Sequence, residues 1–596
     1  MTGTIVSVCC GTGCSAQGAG EVLKKFRELL PADNMQVKAV SKMTGCHGFC
    51  ERGPLVVIRN DAKSIFYQKI KAEDVERIVE KTVLKGEIIE EFLYEDEVSK
   101  TKIVEEEQVP FYKYQKRILF ENNGRIDPTD IKDYTDLGGY KALEKALGMS
   151  PDAIVEEVKT SGLRGRGGGG FPTWRKWDSC RKSQVSDTRY IICNADEGDP
   201  GCFQDRSILE GNPHLVIEGM IIGAFAIQSN KGFIYVRAEY PLAVKHLEIA
   251  LNQAMAKGFL GKNILNSGFD FEIEIVQGAG AFVCGESSAL MASIEGRLGE
   301  PRVKHIHATD KGLWDKPTAL NNVKTWASVT LIIKNGGKWF SSIGTENSKG
   351  TMIFSLVGKV RNTGLVEVPM GITLRDLIFK IGGGIIGGKK FKAVQTGGPS
   401  GGNIPEKYLD LPVDYEALTE AGSMMGSGGM VVMDEDTCMV QVARYFLSFT
   451  QEESCGKCTP CREGTYLMLK ILDRFIEGKA DENDLTELEK ISRMVKETSL
   501  CGLGKAAPNP VLTTLKYFRD EYLAHIKGIC PAKVCPALIK YEILEKECTG
   551  CTLCAKNCPQ DAITGEKKKP HVIVQGKCIK CGICLEVCNF GAVTKI

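Results

Sequence analysis

Apolar positions along this chain change their period several times, and each change predicts a different kind of structure. Near the start, 5–8 and 55–58 read as buried strands, and 21–30 and 72–83 carry apolar residues at helical spacing. Together they predict a small α/β domain over 1–85. The stretch 87–107 is acidic and keeps neither period, so 86–125 reads as a linker. Helical patterns then lead into a glycine-rich loop at 162–170. Beyond it, strand-like 190–193, 232–236 and 271–276 alternate with helical 216–226 and 243–257, which predicts an α/β domain over 126–335. Glycine and short strands dominate 336–425, a small β-rich domain. Helical periodicity fills most of 426–528. The last domain, 529–596, repeats itself: Cys548, Cys551, Cys554 and Cys558 recur 30 residues later as Cys578, Cys581, Cys584 and Cys588. The expected fold class is therefore multidomain α/β and α+β.

Composition narrows the functional classes. At 596 residues the chain is too long for one core, and 43% hydrophobic with 25% charged residues is ordinary for a globular protein. With 76 basic against 75 acidic residues, nothing pulls it toward nucleic acid or an anionic membrane. No apolar run approaches the roughly 20 residues of a membrane-spanning helix. The start lacks the basic and apolar segments of a signal peptide, so a cytoplasmic setting is expected. Disulfides are rare there, and the 24 cysteines need another explanation. Cys180, Cys193, Cys202 and Cys284 are scattered and read as small buried hydrophobes. Most of the others are grouped, which points to metal ligation.

The tail carries C-x2-C-x2-C-x3-C twice, the two-cluster ferredoxin pattern, in which the fourth cysteine of each run serves the other cluster. This assigns Cys548, Cys551, Cys554 and Cys588 to one 4Fe–4S centre and Cys558, Cys578, Cys581 and Cys584 to a second. Asn589 stands where the pattern has proline, a turn position and not a ligand. A pair of zinc sites is the competing reading. Cys455, Cys458 and Cys461 suit three corners of a further 4Fe–4S cube, with Cys501 the nearest later fourth ligand and Lys457 and Arg462 offsetting cluster charge. A helical hairpin between them would present Cys501. At the N-terminus, Cys9, Cys14, Cys46 and Cys50 come from two loops and suit either a 2Fe–2S rhomb or zinc. Cys10 reads as a spare. His525, Cys530 and Cys535 suit structural zinc, with Cys438 the leading fourth ligand. A surface histidine beside free thiols is the plainer alternative.

Three polar or glycine-rich stretches remain. In 162–173 the glycines let backbone amides approach a phosphate, with Arg164, Arg166 and Lys176 adding charge and Phe171 and Trp174 offering ring faces. It contains G-x-G-x-x-G, but a helical pattern precedes it, whereas the dinucleotide fingerprint needs a strand. The acidic run 194–201 follows a strand and has groups for ribityl or ribose hydroxyls. The run 278–287 follows a strand and opens a helical pattern, a suitable place for phosphate at a helix N-terminus.

G-R-G-G-G-G-F-P-T, N-A-D-E-G-D-P-G, G-A-G-A-F-V-C-G-E-S, G-L-W-D-K-P-T-A-L-N-N-V-K-T and S-C-G-K-C-T-P-C-R-E-G occur in that order. Together, over roughly 110–526, they resemble the NADH-binding flavoprotein subunit of respiratory complex I. With the cysteine-rich ends added, the chain is similar to the flavin-bearing beta subunit of NAD(P)-dependent, often electron-bifurcating, FeFe hydrogenases. The resemblance implies a thioredoxin-like 2Fe–2S domain, a Rossmann-like FMN domain, a β-grasp-like domain, a helical bundle with a 4Fe–4S cluster and a two-cluster ferredoxin domain. It implies FMN held by Gly165, Arg166, Asn194, Asp196, Gly285, Glu286, Asn321 and Asn322. Gly167, Gly168, Phe171 and Lys176 would bind NAD(P), with Phe171 on the adenine. Glu197 and Asp199 would line the nicotinamide pocket as the catalytic pair, where hydride passes between nicotinamide C4 and flavin N5. It also favours 2Fe–2S over zinc at Cys9, Cys14, Cys46 and Cys50. Implied partners are a catalytic hydrogenase or formate dehydrogenase subunit, a small thioredoxin-like 2Fe–2S subunit and ferredoxin. A freestanding NAD(P)H:ferredoxin oxidoreductase is the alternative enzyme, and a flavin-free wiring scaffold the non-catalytic one. Three residues depart from the complex I pattern: Asp199 for glutamate, Ser287 for the second glutamate of G-E-E, and Trp174 for glycine.

Overall fold

The computed structural model describes residues 3–31, 39–60, 63–96, 99–303 and 305–596. Met1 and Thr2, and Glu97 and Val98 of the expected linker, lie outside the described residues. The chain divides into two compact units, Met1–Val432 with Leu500–Leu503, and Met433–Ser499 with Gly504–Ile596.

The first unit opens on a sheet ordered Ala39–Thr44, Thr4–Cys9, Val56–Arg59, Ser64–Tyr67; the first pair is parallel and the others antiparallel. Helix Ala19–Leu29 turns Ala19, Val22, Leu23 and Phe26 inward, the one-sided set its period predicted. The second helical pattern is broken into a 3-10 turn Ala72–Asp74, a single α turn Val75–Ile78 and a π turn Val79–Leu84. In that last turn the Thr82 hydroxyl lies 2.8 Å from the Tyr67 hydroxyl, and both are buried.

The reading of 87–107 as a linker misses how much of it packs against the N-terminal sheet. Ile89, Phe92, Leu93 and Tyr94 are buried, Gln68 N donates to Phe92 O at 3.0 Å, and Phe66 N donates to Val104 O at 2.8 Å. The segment straps the N-terminal sheet. Its apolar residues are too few for a period to emerge from the acidic ones around them.

Further on, strands Thr318–Asn322, Tyr190–Ala195, Lys231–Arg237 and Glu272–Gly278 form a sheet in that order, parallel throughout. Parallel strands need crossovers, and helices Pro213–Ile227 and Pro241–Ala256 supply two of them. The first is apolar and buried on nearly every side, matching a strand set that reads as continuous hydrophobic runs. A mixed five-stranded sheet follows, ordered Gly364–Pro369, Thr351–Gly358, Gly429–Asp434, Phe391–Thr396, Gly402–Pro405.

In the second unit, helices Met439–Glu452, Thr459–Ile476 and Glu482–Thr498 succeed one another, and Asp481 and Asp484 form a capping box at the start of the third. Gly464 lets the last two approach: a Cβ there would stand 2.2 Å from Val495 Cγ2. In the tail, Tyr541–Ile543 pairs with Val593–Lys595 and Ile563–Thr564 with Val572–Ile573. Among the described residues, no helix is long and apolar enough to cross a membrane.

Candidate nucleotide and cluster sites

Helix Pro151–Ser161 ends at Gly162, whose φ of +64° a side chain would resist. The loop then doubles back, with Gly165 N donating to Phe171 O at 2.9 Å and Thr173 N to Leu163 O at 3.0 Å. Gly167 lies against the end of strand Thr318–Asn322, where a Cβ would come within 2.9 Å of Asn322 Cβ. Helix Thr173–Lys182 begins without a side-chain cap, and Thr173 Oγ1 is buried without a partner. In its first turns Lys176 Nζ donates to Leu320 O, at 2.9 Å. Burial lowers this ammonium to about 8, and no carboxylate pairs with it among the described residues. Open helix amides, an unpartnered hydroxyl and an unpaired ammonium make a site short of an anion.

The two arginines behave differently from expectation. Arg164 donates to Gly170 O at 2.7 Å, pairs with Glu416 at 2.5 Å and stacks 4.2 Å from the Tyr415 ring centre. Arg166 is buried and donates to the carbonyls of Thr351 and Arg164, each at 3.1 Å, and of Lys349. These partners take up both guanidinium groups and hold the loop in shape. Phe171 is half exposed, free to offer a ring face, whereas Trp174 lies 5.5 Å from both Lys159 Nζ and the Arg175 guanidinium carbon.

At the end of strand Tyr190–Ala195, Asn194 Nδ2 donates to Gly285 O at 2.9 Å and its Oδ1 accepts from Asp196 N at 3.0 Å. The Glu197 carboxylate caps helix Gln204–Gly211, accepting from Asp205 N at 3.0 Å and Arg206 N at 3.1 Å, with Tyr240 Oη 3.3 Å away. Burial, and then the charge of Asp205, push Glu197 up to about 7. Asp205 is itself bound to buried Lys324 at 2.6 Å. Asp199 accepts from Ser427 Oγ, and burial raises it to about 6. Glu286 caps helix Ser287–Ile294 through Ser288 N at 2.8 Å and Ala289 N at 3.1 Å. The chain's own carboxylate thus takes the place expected for phosphate there, which corrects that reading of 278–287. Asn322 caps helix Val323–Asn335 and donates to Asp205, while buried Asn321 accepts from Trp177 Nε1 at 2.9 Å.

The four N-terminal cysteines converge. Cys46 and Cys50 sulfurs are 3.6 Å apart, and the Cys9 thiol bonds with Cys14 and Cys46. Cys10 lies outside those contacts, and burial pushes its thiol up to about 12. In the tail, Cys548, Cys551, Cys554 and Cys588 line one small apolar cavity, and Cys558, Cys578, Cys581 and Cys584 line another. The repeated positive φ at Gly550 and Thr552, then at Lys580 and Gly582, curls each cysteine loop in the same way. Cys458 stands at the N-cap position of helix Thr459–Ile476 without a side-chain cap bond, and Cys461 lies in the first turn; Gly504 packs there, with a Cβ 3.0 Å from Cys461 Cβ.

Cys438, His525, Cys530 and Cys535 are all buried, with their ligand atoms within 4.8 Å of one another. His525 Nε2 lies 3.5 Å from Cys438 Sγ and 3.3 Å from Cys535 Sγ, and Nδ1 faces Glu521 O at 2.7 Å. A tetrahedral ion with bonds of about 2.0–2.3 Å needs ligand atoms roughly 3.5–3.8 Å apart, so this donor set fits one zinc. A carbonyl-oriented histidine is its usual outer support.

Family models match successive stretches of the chain. The Nuo51 FMN-binding domain matches residues 158–331, the NADH-ubiquinone oxidoreductase-F iron-sulfur binding region 441–525, and the 4Fe-4S dicluster domain 547–593. The thioredoxin-like [2Fe-2S] ferredoxin family matches 2–83 and the SLBB domain 353–403. NADP-reducing hydrogenase subunit HndC of Solidesulfovibrio fructosivorans is 54% identical over 81% of this chain and 98% of that protein. The chain belongs to the NADH-binding flavoprotein subunits of complex I-like enzymes and hydrogenases. A subunit of the NADH-quinone oxidoreductase of Rhizobium meliloti is 45% identical over 69% of this chain and 97% of that protein. A crystal structure of NAD+-reducing [NiFe]-hydrogenase in the H2-reduced state aligns with a TM-score of 0.61 and 30% identity, covering 88% of this chain and 84% of the other.

As a member of this family the chain is an NAD(P)-dependent oxidoreductase that works with FMN, a 2Fe–2S cluster and 4Fe–4S clusters. The residues present fit these groups: an anion-deficient helix start for a phosphate, and cysteine quartets around apolar cavities for clusters. Sequence reasoning missed Asp205, Lys324, Tyr240 and Ser427 around the two acids, and Glu210 behind the N-terminal cluster loop. Lys324 stood inside a recognised motif, but nothing local announced that it would be buried against Asp205. Ser427 comes from a distant loop and had no signal.

Proposed function

We propose that this chain is the nicotinamide- and flavin-carrying subunit of a multisubunit, electron-bifurcating hydrogenase, exchanging single electrons with a catalytic subunit and with ferredoxin. The observation that carries the hydrogenase assignment is the match to nearly the full length of an NADP-reducing hydrogenase subunit. These relatives are parts of larger enzymes, which favours this reading over a freestanding oxidoreductase or a formate dehydrogenase subunit. FMN, when bound, takes electrons in pairs from a nicotinamide and releases them singly.

In this reading the amides of Gly167 and Gly168, the start of helix Thr173–Lys182 and Lys176 bind nucleotide phosphate, and Phe171 carries the adenine. Backbone groups of Gly165, Arg166 and Gly285, with Asn194, Asp196, Glu286, Asn321 and Asn322, hold the flavin in a Rossmann-like domain. Glu197 and Asp199 line the nicotinamide pocket. With Glu197 near 7 and Asp199 near 6, both exchange protons close to neutral pH. Cys9, Cys14, Cys46 and Cys50 ligate 2Fe–2S. Cys455, Cys458, Cys461 and Cys501 ligate one 4Fe–4S cluster, and the two tail quartets ligate the others. Cys438, His525, Cys530 and Cys535 hold zinc. The mixed sheet containing the SLBB match is β-grasp-like. Two separate cysteine-rich regions, one at each end of the chain, supply the two outlets that a divided electron pair requires. A small thioredoxin-like 2Fe–2S subunit completes the assembly.

Anaerobic titration of the purified chain with NADH and, separately, NADPH tests the core of this reading. The flavin absorbance is expected to bleach with at least one of them; no bleaching with either overturns it. Anaerobic purification of the native complex tests the partner, and a complex without a hydrogen-activating subunit overturns the hydrogenase assignment.

A further inference from the structure

A half-open cavity of about 260 Å³ in the first unit is lined by Arg59, Glu106, Tyr112, Lys113, Arg117 and Arg125, among others, and shares no residue with the nucleotide site. Its charges are unevenly matched. Arg59 and Glu106 neutralise each other: Arg59 Nη2 donates to Glu106 Oε2 at 2.7 Å, while Nη1 donates to Gly124 O at 3.0 Å and Ser7 Oγ at 3.3 Å. At the rim, exposed Lys113 and Arg125 balance exposed Glu107 and Glu121. Arg117 acts on Glu106 through its charge but forms no ion pair among the described residues. It lies 5.3 Å from the Tyr112 ring centre, and its Nη2 donates to Phe120 O at 3.2 Å. Its Nε is buried without a partner, and so is the hydroxyl of Tyr112, a residue only 6% exposed. Two buried donors left open, one of them on a cation without an ion pair, are costly unless an acceptor completes them.

We propose that this cavity binds a small oxoanion, a phosphate or carboxylate group, through Arg117 and Tyr112. The wall of the cavity also leads to the N-terminal cluster loop. Glu106 Oε1 faces His47 Nδ1 at 3.2 Å, His47 Nε2 faces Thr44 Oγ1 at 3.0 Å, and His47 follows Cys46 in the chain. An anion held by Arg117 adds negative charge next to this chain of contacts, so occupancy is expected to register at the 2Fe–2S cluster. The site goes beyond the nicotinamide–flavin reading and does not depend on the identity of the partner subunits.

The test uses the cluster-loaded, FMN-loaded chain with excess NAD+, which fills the nucleotide site. Inorganic phosphate and malonate are titrated separately at constant ionic strength, with chloride as the control. Binding is followed by calorimetry, and the cluster by its visible circular dichroism. Saturable binding of one probe with a change in the cluster signal is expected, and the better probe identifies the group recognised. Arg117→Ala is expected to weaken that binding at least tenfold, and Tyr112→Phe, which removes only the hydroxyl, several-fold. Lys490→Ala, a surface charge change in the second unit, is expected to leave it unaltered. Non-saturable binding, or affinity unchanged in both Arg117→Ala and Tyr112→Phe, would mean an adventitious ion only and overturns the proposal. Normal bleaching of the flavin by NAD(P)H in samples of the same preparation without NAD+ separates that outcome from failure of the proposed function.

Discussion

Lys176 is the residue on which the proposed nucleotide site turns, because carbonyls and Glu416 take up Arg164 and Arg166 while Lys176 meets just the Leu320 carbonyl among the described residues. A charge-assisted bond to phosphate contributes about 1.5–3 kcal/mol. Lys176→Met is therefore expected to raise the KM for NAD(P)H by roughly 10- to 100-fold with flavin content retained, as steady-state dye reduction would measure. The sign of its pH dependence follows from the depressed value of about 8 in the ligand-free chain. A bound phosphate raises that value, so binding takes up a proton and affinity falls as pH climbs above 8; the Met variant should lose this dependence. Glu197 is shifted the opposite way. Its ordinary value near 4.5 is raised to about 7, so the folded chain holds a proton that the unfolded chain has released. Stability from this group is present below about 4.5 and lost as pH rises to 7, by roughly 2–3 kcal/mol relative to Glu197→Gln. Thermal unfolding of both proteins at pH 5, 6, 7 and 8 checks it; parallel profiles would show that Glu197 does not titrate in this window. The sequence marked Lys176, Glu197 and Asp199 through their motifs. It also offered Arg164 and Arg166 as phosphate ligands, because charge is visible in a sequence while the carbonyls that capture it are not.

Helix Gln204–Gly211 shows how one short element ties two sites together. Its first amides hold Glu197, and at its other end Glu210 accepts from Thr12 N at 3.0 Å and from the Thr12 hydroxyl, inside the N-terminal cysteine loop. Gly211 abuts Gly45, beside Cys46, so tightly that a Cβ on Gly45 would stand 2.2 Å from Gly211 Cα. Backbone cannot swing aside as a flexible side chain can. Gly45→Ala is thus expected to destabilise the fold by about 1–3 kcal/mol and to reduce 2Fe–2S content, read as iron per chain and the cluster's absorbance. Gly20→Ala, in open space on helix Ala19–Leu29, should be neutral or mildly stabilising. Wild-type cluster content in Gly45→Ala would refute the close contact. None of this was legible beforehand: the helical period announces a helix, but a contact across more than 160 residues leaves no local trace. The strap at 87–107 was missed for the related reason that its few buried residues follow the neighbouring sheet and not a period of their own.

At the scale of the whole chain, what was most legible was the chemistry that repeats. The tail's quartets were proposed from spacing alone, on the ground that each loop presents three thiolates to one cluster, and each quartet lines its own cavity. The Cys438–His525–Cys530–Cys535 set had weaker spacing and needed the fold to join Cys438, just before the first helix of the second unit, to His525 in helix Arg519–Ile526 and two cysteines beyond it. That difference makes it the better test of how the second unit is held together. If the set binds zinc, the metal crosslinks the start of helix Met439–Glu452, the end of helix Arg519–Ile526 and the segment leading into the tail. Metal binding of this kind contributes to folding directly, since the unfolded chain has no preformed site. One zinc per chain is expected by elemental analysis, and Cys438→Ser should lose it. The variant should also become sensitive to limited proteolysis between residues 527 and 540, while the tail retains its iron, because the tail clusters draw on none of these four ligands. Zinc retained in Cys438→Ser would exclude that cysteine as a ligand. Loss of tail iron together with zinc would mean that the crosslink supports the ferredoxin fold itself.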